Sequence, residues 1–264
     1  MKKHFITKVL FSSMLCMVMA VGCRKDESVR PIVPVTPPDT DTVLPPEEPL
    51  MATFSISDSQ QVRFSPGNLQ YVSGRWRFAA HQEDFLEEND ENAMDLFGWS
   101  TTSNNWGRTF ETNQQLFTGS FADWGTNPEL VISLGAGWRT LSKDEWNYLL
   151  YKREVNKGTG VGHSYLLCVL NGQYGLLLFP DNYKEQERNF ESVPDSCIFL
   201  PAVGSRYGRE INRFDNASGL YWTSTVENQI EWYADLLEFH NMTINFGMGS
   251  RVSGMAVRLV RNVR

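Results

Sequence analysis

The sequence predicts an α+β domain built mostly of short antiparallel strands, with one well-capped helix (about 142–153) and long irregular loops. Three observations lead to this. Short apolar and β-branched runs recur through residues 51–264, and Gly, Asn, Ser and Pro residues separate them. One segment, near residue 142, carries the start signals of a helix. All eight tryptophans of the chain lie in this part, an aromatic density that suits one large irregular core.

Taken in order, Thr53–Ile56, Gln61–Phe64 and Arg75–Phe78 are expected as the first strands, with Pro66-Gly67-Asn68 as a turn between them. Glu83–Asn127 shows no sustained period and is expected to be irregular. Ser142-Lys143-Asp144-Glu145 is a capping box: the Ser142 hydroxyl accepts from the Glu145 amide while the Glu145 carboxylate reaches back. Leu141 and Trp146 can form the hydrophobic staple beside it. Trp146, Leu149 and Leu150 then mark the buried face, and Lys152 and Arg153 suit the negative end of the helix dipole. Tyr165–Leu170 and Gln173–Phe179 flank Asn171-Gly172, a pair that accepts the positive φ angles of a type I′ hairpin turn. Ile198–Val203 is the next expected strand, followed by Leu220–Thr225, Trp232–Phe239, Thr243–Phe246 and Met255–Val260.

The segments before residue 51 are of another kind. Residues 1–22 carry Lys2 and Lys3 ahead of an apolar run, Val9 to Gly22, that is too short to span a bilayer. Residues 23–50 hold seven of the twelve prolines and no aromatic residue, so they are expected to form an extended, disordered tether. Residues 51–264 contain no second such linker and are expected to form one globular domain.

Charge limits the partners. The chain has a net charge of −7, and its first 22 residues hold three lysines and no acid, so the remainder is more acidic still. Nucleic acid is therefore an unfavourable partner, because phosphate binding needs clustered Lys and Arg. His81, His163 and His240 form no pair at zinc spacing, and no cofactor motif is present. The acidic run Asp84, Glu87, Glu88, Asp90, Glu91 and Asp95 lacks the order of an EF-hand loop and is expected to be a solvated loop.

Several segments resemble known families. Ala20-Val21-Gly22-Cys23 resembles a bacterial lipobox, which implies a signal peptide cut before Cys23 and diacylglycerol and palmitate-type acyl chains on its thiol and amine. Lys25, Asp26 and Glu27 resemble the export signal that carries Bacteroidetes-type lipoproteins to the outer face of the outer membrane. Gly137-Trp138-Arg139-Thr140-Leu141-Ser142-Lys143-Asp144-Glu145-Trp146 resembles the helix entry of formylglycine-generating, sulfatase-modifying proteins. It resembles still more closely the Fibrobacter-type major paralogous domain. Phe64–Gln70, Asp95–Trp99, Leu178–Asn182, Phe199–Arg206, Tyr221–Thr225 and Ala256–Val260 carry the same resemblance in order along the chain.

The resemblance implies a C-type-lectin-like fold on a lipid-anchored outer-membrane protein. Its oxidase activity is not expected to carry over: that chemistry needs a redox-active cysteine pair in the C-terminal core, and no cysteine follows Cys197. The expected function is a non-catalytic binding module for a glycan or protein ligand. The alternatives are an enzyme of the same fold class without the usual cysteines, or a structural subunit of a surface assembly. Related folds bind through loops between C-terminal strands, which implies Val226–Glu231 and His240–Val252 here, with Trp232, Tyr233, His240 and Asn245 as contacts. Cys168 and Cys197 are open to two readings. They form a disulfide, permitted by export, or they are two small buried hydrophobes.

Overall fold

The computed structural model describes residues 52–153, 155, 164–183, 190–226 and 230–263. The expected signal peptide, Cys23, the Lys25, Asp26 and Glu27 signal and the tether lie outside the described residues. The described residues all belong to one compact unit, Leu44–Arg264.

In chain order the strands are β1 (Phe54–Ser55), β2 (Gln61–Phe64), β3 (Leu69–Val72), β4 (Arg75–Phe78), β5 (Ala93–Met94) and β6 (Trp138–Thr140). They continue as β7 (Tyr165–Leu170), β8 (Gln173–Leu178), β9 (Ile198–Pro201), β10 (Ser205–Tyr207) and β11 (Glu210–Asn212). The last four are β12 (Ser218–Trp222), β13 (Tyr233–His240), β14 (Thr243–Ser250) and β15 (Leu259–Asn262). Among the described residues there are also two short α-helices, α1 (Pro128–Leu134) and α2 (Lys143–Asn147), with a few 3₁₀ turns and one π turn. Every pair in the ladders of the named strands is antiparallel, in five small sheets: β1-β2-β15-β6, β4-β3-β5, β7-β8-β9, β10-β11 and β12-β13-β14. The fold is thus mixed α+β with many short strands and few helices.

The β7–β8 hairpin turns at Asn171 and Gly172 with φ of 49° and 79°, the type I′ geometry their identities favour. The capping box forms as expected: Ser142 Oγ accepts from the Glu145 amide at 3.2 Å, and Glu145 Oε2 accepts from the Ser142 amide at 2.7 Å. Leu141 and Trp146, the staple pair, are both buried in one core.

The expected helix over 142–153 is corrected in its second half. After Asn147 the chain widens into a π turn, Tyr148–Lys152. The cause is Arg153, expected to serve the negative end of the helix dipole and instead buried in the interior. Its backbone amide bonds to Tyr148 O at 3.0 Å, and its guanidinium reaches Leu149 O, Phe179 O and Asp181 Oδ1 at 2.6, 2.6 and 2.9 Å. Three short elements go unanticipated inside or beside the supposed irregular stretch: β5, α1 and β6. α1 has clear punctuation, with Asn127 Oδ1 capping two amides and Pro128 in the first turn, but buries only Leu130 and Leu134. The expected strand Met255–Val260 begins at Leu259; Met255 and Ala256 make only isolated bridges, to Phe97 and Tyr221.

Sheet β12-β13-β14 stands between two cores. Tyr221, Leu237 and Phe239 face one, with Phe64, Trp146 and Leu149; Trp222 and Leu236 face the other, with Trp76, Phe97, Trp99, Trp124 and Trp138. Alternation along the strands divides them, as the period of two requires. Between the cores lies a polar knot. Fully buried Arg258 donates to Asn68 Oδ1 at 3.2 Å and to Gln82 Oε1 at 2.7 Å. Asn68 donates to the Tyr221 hydroxyl at 3.1 Å, which donates to Pro201 O at 2.8 Å. Burial lowers the Arg258 guanidinium to about 10 and raises the Tyr221 phenol. Asn68, Pro201, Tyr221 and Arg258 all come from the segments that carry the family resemblance, so those segments build the interior.

Candidate functional site

The four residues expected as ligand contacts do not converge. Tyr233 opens β13 and His240 closes it, roughly 23 Å apart at the rise of an extended strand. Asn245 sits opposite Glu238, so it shares a sheet face with His240 and not with Tyr233. Trp232 is half-buried. His240 is engaged locally, its Nδ1 lying 2.6 Å from Ser218 Oγ across the β12–β13 ladder. Within the two expected loops, residues 227–229 lie outside the described residues, and His240–Val252 is mostly the β13–β14 hairpin.

The disulfide reading of Cys168 and Cys197 is also corrected: the two residues are not bonded to each other. Strand β8 runs between their strands, with Gly175 opposite Cys168 and Leu178 opposite Ile198, so the two sulfurs belong to different rows of the sheet. Burial pushes the Cys168 thiol up to about 11.

The acidic run is divided among local tasks. Asp84 accepts from the His81 amide, Asp90 from the amides of Asn92 and Ala93, and buried Asp95 from the Leu86 amide and the Asn89 side chain. Among the described residues, no group of three or more His, Cys, Asp or Glu side chains is placed to hold a metal ion.

A different surface does bring side chains together. A cleft of about 890 Å³ opens between β5, the loop 105–112 and the tip of the β10–β11 hairpin. Its first wall rests on a knotted turn. Asn104 Oδ1 accepts from the amides of Thr101 and Gly107 at 2.9 and 2.8 Å, and its Nδ2 donates to Trp99 O at 2.7 Å. These bonds hold Asn105, Trp106 and Gly107 in successive left-handed conformations, φ 55°, 54° and 74°. Such a conformation is costly for a tryptophan, and Trp124 Nε1 donating to Trp106 O at 2.8 Å helps to fix it. The turn delivers Arg108 onto the Tyr71 ring, with 3.8 Å from guanidinium carbon to ring centroid.

The opposite wall is the β10–β11 hairpin, and buried Arg206 pins it. Arg206 Nε donates to Leu96 O at 2.6 Å, Nη1 to Gly208 O at 3.0 Å and Nη2 to Thr109 O at 2.8 Å. Desolvation brings this guanidinium down to about 10. The Phe110 ring lies 4.6 Å from both Arg206 and Arg209. At the mouth, Arg209 pairs with Glu91 from the other side, and that contact holds the Glu91 carboxyl below its usual range. Tyr207 at the hairpin tip is 57% exposed, unusual for an aromatic residue.

The cleft therefore offers an exposed aromatic ring, a guanidinium–carboxylate fork, the carboxylates of Glu111 and Glu210 and the hydroxyls of Thr109 and Thr112. These groups stack and exchange hydrogen bonds. Its described lining contains no Ser, Cys, His or Lys. Sequence reasoning missed the site because four separated segments supply it. The one local signal was Tyr207-Gly208-Arg209, a glycine turn carrying an aromatic and a cation. No family model, curated protein or solved structure matches the chain.

Proposed function

We propose that this protein is an outer-membrane surface lipoprotein with a C-type-lectin-like, non-catalytic binding domain, and that the domain takes a glycan or protein ligand in the cleft beside Tyr207. The cleft carries this reading: an exposed aromatic and paired charged groups converge on walls that buried Arg206 holds together. Prearranged walls lower the ordering cost of binding. The exposed Glu91–Arg209 pair contributes little to stability, so a ligand can rearrange it cheaply. Cys23 is the acylation site, Lys25, Asp26 and Glu27 direct export, and the proline-rich segment 23–50 links the anchor to the domain.

The resemblance to the Fibrobacter-type major paralogous and formylglycine-generating families supports the lectin-like fold, since its segments recur in order along residues 64–260. The test is a glycan and protein array probed with the full chain in detergent, beside Tyr207→Ala and Arg209→Ala variants. Binding that weakens tenfold or more in both variants supports the cleft. Binding that both variants retain in full, or no binding to either array, contradicts it.

A further inference from the structure

We infer that β14 is the contact strand of a homodimer, pairing antiparallel with β14 of a second copy about a two-fold axis through Gly247.

Strand β14 is the edge of its sheet: among the described residues it pairs only with β13. The two strands join through Asn241 and Met242, with φ of 44° and 69°, a two-residue turn that makes His240 and Thr243 a hydrogen-bonded pair. Pairing then alternates. Asn245, Gly247 and Gly249 bond to β13, while the amides and carbonyls of Ile244, Phe246, Met248 and Ser250 point outward. Two of these carbonyls have weak or local partners, Ile244 O accepting from Tyr151 at 3.4 Å and Ser250 O from the Ser253 amide at 2.9 Å.

Edges of this length usually carry a charge, a proline or a bulge that blocks pairing. Thr243–Ser250 has no charged residue and no proline, and its ladder to β13 is continuous over eight pairs. Exposed apolar side chains flank the edge: Met248, Tyr151 and Tyr233 are 48%, 49% and 38% exposed. Self-complementarity selects the occupant. A two-fold axis at Gly247 engages all four outward-facing residues at once and sets Phe246 against Met248 of the second copy, twice. A thioether beside an aromatic ring is a favourable pair. At the axis itself, glycine meets glycine, with no side chain to clash. The strand itself adds no charge to the contact; the charge nearest the axis is the flexible Glu238 carboxylate of β13, which turns aside to solvent as the copies meet.

Cysteine cross-linking of the full chain in detergent micelles tests both the dimer and its register. A Cβ at Gly247 meets only the flexible Glu238 carboxylate at 3.2 Å and Leu236 side-chain atoms beyond it. Gly247→Cys therefore fits, and mild oxidation should yield a covalent dimer absent from the wild type. Asn245→Cys, displaced from the axis, should cross-link at least fivefold less. Analytical ultracentrifugation should show a wild-type dimer that Met248→Lys weakens at least tenfold. A wild-type chain that stays monomeric at every concentration would overturn the inference. Equal cross-linking at positions 245 and 247 would overturn the register and the inference with it. Should Gly247→Cys fail to fold, the effect of Met248→Lys on the wild-type dimer still decides.

Discussion

Arg206 and Thr109 join the two walls of the cleft: Nη2 of the first donates to the carbonyl of the second at 2.8 Å, across 97 residues of sequence. The same guanidinium holds Leu96 O and Gly208 O, so a planar five-donor group serves one buried carbonyl and two part-buried ones. Lysine has neither the fork nor the reach to replace it. Arg206→Lys should destabilise the fold by about 3 kcal/mol, as the buried Leu96 carbonyl and its two part-buried neighbours lose their donor. Urea denaturation measures this; a loss below about 1 kcal/mol would show that the carbonyls find other partners.

Two glycines predict opposite tolerance. A Cβ on Gly125 would stand 1.7 Å from the Trp138 carbonyl, where neither backbone can give. Gly172 has φ of +79° and nothing within 4 Å, so alanine there meets only backbone strain. Gly125→Ala should cost roughly 3 kcal/mol or more through overpacking, and Gly172→Ala about 1 kcal/mol. Equal costs would place β6 and the turn at Trp124–Thr126 further apart than described.

Burial raises the Asp95 carboxyl, against the bonds from Leu86 and Asn89 that lower it; burial likewise raises Asp123. A carboxyl raised on folding keeps its proton longer in the native state than in the unfolded chain. Stability from these groups is therefore greatest below the ordinary aspartate value of about 3.9 and falls as pH rises through the native values. Asp95→Asn should flatten that fall in urea titrations run upward from pH 3.5. An unchanged slope would remove Asp95 as its source.

Localisation separates into two steps. Cys23→Ala should abolish labelling by a fatty-acid analogue. Replacing Lys25, Asp26 and Glu27 with alanine should leave labelling intact and protect the domain from protease added to whole cells. Equal protease access in wild type and triple variant would contradict the export role while leaving the acylation of Cys23 standing.

What could be read from the sequence was local. The capping box at Ser142 and the turn at Asn171-Gly172 are each decided by neighbours a few residues apart, and both form as expected. The π turn after Asn147 was hidden because its cause, the bonds from Arg153 to Phe179 and Asp181, spans 26 and 28 residues. β6 is three residues long and exists because β15 returns beside it from the far end of the chain. The cleft was hidden for the same reason. Tyr71, Arg108 and Tyr207 line one cleft although they are distant in sequence, and Arg206 ties the walls through carbonyls at Leu96 and Thr109. The resemblance put Tyr233 and His240 on one binding face, yet an extended strand sets them at its opposite ends.

The most direct test of the account is where the ligand touches the domain. A photoreactive benzoylphenylalanine in place of Tyr207, in intact cells, should form an adduct with glycan or protein on illumination. The same group in place of Val169, which is 56% exposed on β7 and outside the cleft lining, should form none. An adduct at 207 alone is the predicted result. No adduct at 207, or equal adducts at both positions, would contradict a ligand held in the cleft.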